Sequence, residues 1–190
     1  LNGKLNGLSL FDISGHGISA SMISVMAKNV IRRNFLRGHA LEESPSKILS
    51  KISREIAEEK GEVDNYLTGI ILTIDSFSRT DECEVHIANG GHPYPILYRA
   101  SQEKAEEILP DNLENQFGAI GIKDFDTSFP TVDFFMAIDD VLVLFTDGVT
   151  ESENVMKIQF GKHRLKAAIV ENASKSPKEI ALAIRESLRE

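Results

Sequence analysis

The chain has 190 residues and a mass of 21.0 kDa, a size that suits one domain or at most two small ones. Hydrophobic residues at 42% supply a buried core, and the single cysteine, Cys83, excludes an intrachain disulfide framework and any multi-cysteine zinc site. Lys and Arg total 21 against 29 Asp and Glu, and the net charge of -8 repels nucleic acid backbones and anionic membranes. The longest apolar runs, such as Gly69 to Ile74 and Val141 to Phe145, fall far short of the roughly 20 residues that span a bilayer. No secretory signal pattern is present. These features describe a soluble domain of a reducing compartment, expected in the cytoplasm, with no membrane span and no nucleic acid partner.

The chain opens with two turn dipeptides, Asn2-Gly3 and Asn6-Gly7. A short apolar strand, Leu8 to Phe11, follows and is stopped by Asp12 and the Ser14-Gly15-His16-Gly17 cluster. From Ile18 to about Arg37 apolar residues recur at three-to-four spacing and predict a helix, with the stripe through Met22 and Met26 as its core face. Arg32, Arg33 and Arg37 before Gly38 predict its end. Ser44-Pro45 caps a second helix whose stripe is Ile48, Leu49, Ile52, Ile56 and Ala57, closed by Gly61. Strand-like runs then cover Tyr66 to Asp75, Glu84 to Ala88 and Ile96 to Arg99. Ser76 to Glu82 and the charged Ala100 to Glu107 read as connections. Phe129 to Met136 and Val141 to Phe145 are two more strands, joined by the acidic turn Ile138-Asp139-Asp140. Helices return at Phe160 to Asn172 and again from Ser176-Pro177-Lys178-Glu179, a cap with proline and acid in its first turn. Helix pairs around a block of about six strands predict an α+β fold with an antiparallel sheet core.

Three clusters set polar side chains among turn-forming glycines just after an apolar strand. They are Asp12-Ile13-Ser14-Gly15-His16-Gly17, Ala88-Asn89-Gly90-Gly91-His92-Pro93, and Thr146-Asp147-Gly148. Taken singly, each reads as a turn or a helix cap. Asp12 and Asp147 together carry more weight, because each follows an apolar strand, an arrangement that would set both carboxylates at one edge of a single sheet. Strand-end carboxylates without thiol ligands suit hard cations such as Mg2+ or Mn2+. The chain contains no Gly-x-Ser-x-Gly elbow, no P-loop and no His-Glu-x-x-His.

The first cluster resembles the Asp-Val-Ser-Gly-His-Gly signature of the bacterial PPM-type metal-dependent serine/threonine phosphatases, in the branch named after the stage II sporulation protein E. Ala88 to Pro93 resembles that branch's Ala-Asn-Ala-Gly-His-Pro stretch, and Thr146 to Glu151 its Thr-Asp-Gly-Val-Thr-Glu stretch, in the same order. The resemblance implies a sandwich of two antiparallel β-sheets flanked by helix pairs, with residues 1–190 as a single catalytic domain. It implies a two-metal site of Mn2+ or Mg2+ in which Asp12 bridges both ions, the Ile13 carbonyl ligates one, and Asp147 binds one. Asp12 and Asp147 are thereby the catalytic residues. A water held between the ions would attack a phosphoserine or phosphothreonine in line. The implied substrate is a phosphorylated regulatory protein of the anti-anti-sigma-factor kind, under the control of an upstream sensor or regulatory domain. The family pattern has a further acidic segment on each side, so the stretch reads as truncated at both ends. The rival expectation is a catalytically silent pseudo-phosphatase that only binds a partner.

Overall fold

The computed structural model describes residues 6–75, 82–110, 118–123, 129 and 131–189. The chain divides into two compact units, Leu1–His92 with Pro110–Phe135, and Pro93–Leu109 with Met136–Glu190.

The first unit is built on a four-stranded sheet in the order β1-β2-β3-β6, from strands β1 (Gly7–Ile13), β2 (Leu67–Ile74), β3 (Glu82–Gly90) and β6 (Thr131–Ala137). β1 pairs antiparallel with β2, setting Phe11 opposite Gly69 and Asp12 opposite Thr68, and β2 pairs antiparallel with β3. Two helices, α1 (Ile18–Ala40) and α2 (Pro45–Lys60), cover one face. All five residues of the predicted α2 stripe are buried, and Ile48, Leu49, Ile52 and Ile56 meet Leu67, Ile71 and Ala88 of the sheet in one core. The predicted cap also forms: Ser44 Oγ accepts from Lys47 N ahead of Pro45.

α1 departs from expectation in two ways. Its buried face is Ala20, Ile23, Ala27 and Val30, with Met26 of the expected stripe packed partly buried against the core, whereas Ile18, Met22 and Val25 are exposed, Met22 at 69%. The helix carries two apolar stripes, and the one with small residues packs inward. The helix also runs through Gly38 to Ala40. Gly38 is not a stop but a point of close approach, where a Cβ would crowd the Ile48 side chain. Asn6-Gly7 likewise makes no turn, since Gly7 opens β1 opposite Thr73. The Asn2-Gly3 turn lies outside the described residues, as does the Ser76 to Glu82 connection apart from Glu82.

The second unit carries a three-stranded antiparallel sheet, β5-β4-β7, from β4 (Ile96–Arg99), β5 (Lys104–Glu107) and β7 (Val141–Val143). Its helices are α3 (Asp147–Thr150), α4 (Gly161–Asn172) and α5 (Pro177–Ser187). Ile96, Phe145, Phe160, Leu165, Ile169, Ile180 and Ile184 form its core. Ser176 and Glu179 make the predicted reciprocal capping box. The charged stretch read as a connection is instead a short 3-10 turn and the edge strand β5. An edge strand tolerates charge, and Glu107 is held by Lys162 and Lys166 of α4 at 2.7 and 3.0 Å. The acidic turn is present and has a use: Asp140 accepts from Ala100 N, Ala137 N and Arg99, which holds its carboxyl below the usual range despite the opposing effect of burial. The expected α+β class with two antiparallel sheets is therefore the observed one.

Candidate functional site

Asp12 and Ile13 end β1, the edge strand of the first unit's sheet. Their backbones behave differently. Leu67, the partner of Ile13, gives both its N–H and its carbonyl to Ile120 on its other side, at 3.0 and 2.7 Å. The ladder therefore does not use the Ile13 carbonyl, and the Ile13 N–H donates to Asp12 Oδ1 at 2.8 Å. The half-buried Asp12 carboxylate thus has one oxygen engaged locally and further lone pairs to offer.

The loop after Ile13 turns sharply because Gly15 and Gly17 take φ of 84° and 87°, the left-handed region that glycine enters without cost. Asn65, which the sequence reading missed, ties this loop down. Its amide donates to the Ser14 carbonyl at 2.6 Å and its oxygen accepts from Ser19 Oγ at 3.0 Å. Ser14 is also bonded to Tyr66 through both its backbone N–H and its hydroxyl, each at 2.9 Å. His16 lies exposed in the loop.

Asp147 lies in the second unit and opens α3, four residues beyond the end of β7. Its carbonyl accepts from Glu151 N and Thr150 Oγ1. Its carboxylate is exposed and has no hydrogen bond or ion pair among the described residues. β1 and β7 belong to different sheets, so the expectation of one shared sheet edge is corrected. Periodicity identifies a strand but says nothing about which sheet it joins.

The second cluster, Ala88 to Pro93, is a tight structure around a buried histidine. Asn89 clamps the His92 backbone from both sides, donating to its carbonyl at 2.9 Å and accepting from its N–H at 2.8 Å. Gly91 sits at φ 72°, bridged to Gly69 and packed on the backbone of Gly118.

Among the described residues, Asp75, Glu84 and His86 bring ligand-type atoms within 4.8 Å of one another. This group is separate from Asp12. Thr68, the partner of Asp12, and Asp75 are seven residues apart along one strand direction, about 23 Å at 3.3 Å per residue, and they point to opposite faces. His86 Nδ1 lies 2.8 Å from Asp133 Oδ1 and Nε2 lies 3.6 Å from Asp75 Oδ2. Partial burial alone would lower the His86 pKa. The Asp133 hydrogen bond and charge, then the charges of Asp75 and Glu84, outweigh it and hold the imidazole above its ordinary value. A raised folded-state pKa makes the contribution complete below about pH 6.5, the unfolded value, and removes it as pH rises through the folded value. His86→Asn is therefore expected to lose up to about 1 kcal/mol of stability at pH 6. The difference from the parent should vanish toward pH 8, as urea unfolding at the two pH values would show.

A sequence model of the family described as Stage II sporulation protein E (SpoIIE) matches residues 3–190. The chain belongs to the SpoIIE family. Among its relatives, the phosphoserine phosphatase RsbP of Bacillus subtilis (strain 168) is 27% identical over 148 residues, covering 76% of this SpoIIE-family chain and 33% of RsbP. The SiaA-PP2C domain of Pseudomonas aeruginosa superposes with a TM-score of 0.72 at 19% identity, covering 96% of this chain and 66% of that one. The catalytic domain of the serine/threonine protein phosphatase PstP, solved with two manganese ions, gives 0.60 at 13% identity, over 96% of this chain and 83% of its own. The chain thus spans about a third of RsbP and two thirds of the SiaA domain. The two structural likenesses show that this SpoIIE-family chain has the PP2C-type fold. No helix among the described residues is long and apolar enough to cross a membrane.

Proposed function

We propose that residues 1–190 act as one catalytic domain that hydrolyses phosphoserine or phosphothreonine on a regulatory protein with the help of two Mn2+ or Mg2+ ions. One observation carries this reading: the half-buried Asp12 carboxylate adjoins an Ile13 carbonyl that the β-ladder leaves unused. Consecutive hard oxygen donors on the rigid end of a strand fit a hard divalent cation, which prefers about six oxygen ligands at fixed distances. Asp147, exposed and uncommitted among the described residues, would be the further protein ligand that the family resemblance implies. When bound, the ions supply an acidified water and neutralise charge on the phosphoryl oxygens. The chain itself holds the Asp12 and Ile13 oxygens in place, through the β1–β2 pairing on one side and the Asn65-clamped loop on the other.

Membership of the SpoIIE family supports the phosphatase reading, as does the name of RsbP, a phosphoserine phosphatase. The manganese ions of PstP belong to that protein and support the choice of metal here. The proposed partner is a phosphorylated protein of the anti-anti-sigma-factor kind, with control exerted by an attached sensor or regulatory domain in the cytoplasm. The test is phosphate release by the full-length protein from an aryl phosphate and from a phosphoserine protein, with Mn2+ and after EDTA. Release that EDTA abolishes and Mn2+ restores is expected. A folded protein that is silent on both substrates at saturating Mn2+ would overturn the enzymatic reading in favour of a binding module.

A further inference from the structure

The Asn89 to His92 cluster is not used by the reading above, yet it builds a hydrogen-bonded frame around a buried histidine. His92 is only 4% exposed. Burying an imidazole is costly unless its polar atoms are met, and here one of them has a specific partner: Nδ1 lies 3.0 Å from Thr68 Oγ1. The two bonds from Asn89 fix the His92 backbone. The Gly69–Gly91 bridge then fastens the segment to β2 next to Thr68 itself. Thr68 is in turn the direct cross-strand partner of Asp12. Residues directly opposite in an antiparallel pair share a face, with Cβ atoms about 5 Å apart. The Thr68 side chain therefore stands beside that of Asp12, on the sheet face away from α1 and α2. A β-branched side chain has few χ1 choices, and the bond to a clamped, buried imidazole selects one of them.

The geometry points to His92, acting through Thr68, as a positioning residue for Asp12. It locks the Thr68 rotamer and so narrows the orientations in which the Asp12 carboxylate can meet a divalent cation. The inference rests on the metal-site reading of Asp12 proposed above. Partners of this kind, one step removed from a ligand, typically alter metal affinity by about 10- to 100-fold when removed. They leave the ligand atoms themselves in place.

The test uses the full-length protein and reads Mn2+ binding by calorimetry, the Mn2+ concentration for half-maximal aryl phosphate hydrolysis, kcat at saturating Mn2+, and the urea midpoint. Thr68→Val keeps the shape and removes the hydroxyl. It is expected to weaken Mn2+ binding about tenfold, raise the half-activating concentration by the same factor, and leave kcat at saturating Mn2+ within about threefold. Thr68→Ser and His92→Asn, which retain a hydrogen-bonding group at each end, should bind Mn2+ within about threefold of the parent. Should Thr68→Val not fold, Thr68→Ala carries the same expectation. Unchanged Mn2+ affinity in a folded Thr68→Val, with the parent active, overturns the positioning role and leaves the phosphatase reading standing. Equal losses in the Val and Ser variants also overturn it, because the hydroxyl would then be irrelevant. A folded parent that neither binds Mn2+ nor releases phosphate overturns the phosphatase reading, and the positioning role falls with it.

Discussion

Asp12→Asn is expected to cut Mn2+-dependent phosphate release by about a thousandfold, with the urea midpoint close to that of the parent. The size follows from the charge. Stabilisation of transition-state charge by bound metal is worth several kcal/mol, and each 1.36 kcal/mol is tenfold in rate, so removing a carboxylate that would hold the ions forfeits about three decades. The folding cost is small because the Asp12 carboxylate makes a single described hydrogen bond, from Ile13 N at 2.8 Å. An asparagine carbonyl still accepts it. Asp147→Asn should lose activity in the same way with even less effect on folding, since its carboxylate is exposed and unengaged among the described residues. The two losses should not multiply if both groups serve one metal centre, because side chains acting as a unit are strongly non-additive. Rate measurements on the single and double variants at a fixed, saturating Mn2+ concentration decide this. A loss below tenfold for Asp12→Asn, in a protein that stays folded, would remove Asp12 from the chemistry.

Asp12 and its neighbourhood were legible because the residue types carry their own constraints. Gly15 and Gly17 mark left-handed backbone, and an Asp just before them marks the end of a strand. Helix α2 was legible for a related reason: its amphipathic stripe and its Ser44-Pro45 start agree with each other. α1 was not. With Ile18, Met22 and Val25 along one side and Ala20, Ile23, Ala27 and Val30 along another, spacing alone does not say which stripe turns inward. β5 was hidden because Lys104 to Glu107 has the composition of a solvated loop. Only α4, remote in sequence, supplies the lysines that Glu107 meets. Asn65 and Thr68 were invisible for the same reason, since Asn65 bonds Ser14, 51 positions away, and Thr68 bonds His92, 24 positions away. In sequence the Gly-Gly-His-Pro segment reads as a turn beside a polar residue. The structure shows that the turn buries that residue and holds Gly91 where an added side chain would meet the Gly118 backbone.

Gly91→Ala is the test of that last statement, and it is expected to destabilise the protein by about 3 kcal/mol. Two costs add. At φ 72° an L-residue suffers a steric penalty of about 1–2 kcal/mol. The new methyl would also overlap the Gly118 carbonyl and lie 2.7 Å from Gly118 Cα, an overpacking cost of about 1–3 kcal/mol. Backbone, unlike the tip of a side chain, has little room to swing away. With a urea slope of about 2 kcal/mol per molar, the midpoint should fall by about 1.5 M. Gly90→Ala is the control: its Cβ would meet only the Ile120 side chain and the Phe129 ring, and no positive φ is required there. It should cost less than half as much. Because Gly91 is bridged to Gly69 and precedes His92, the surviving folded fraction of Gly91→Ala should also bind Mn2+ more weakly than that of Gly90→Ala. Equal midpoints for the two variants would mean that the Gly118 backbone yields, and that the clamp beneath Asp12 is softer than its hydrogen bonds imply.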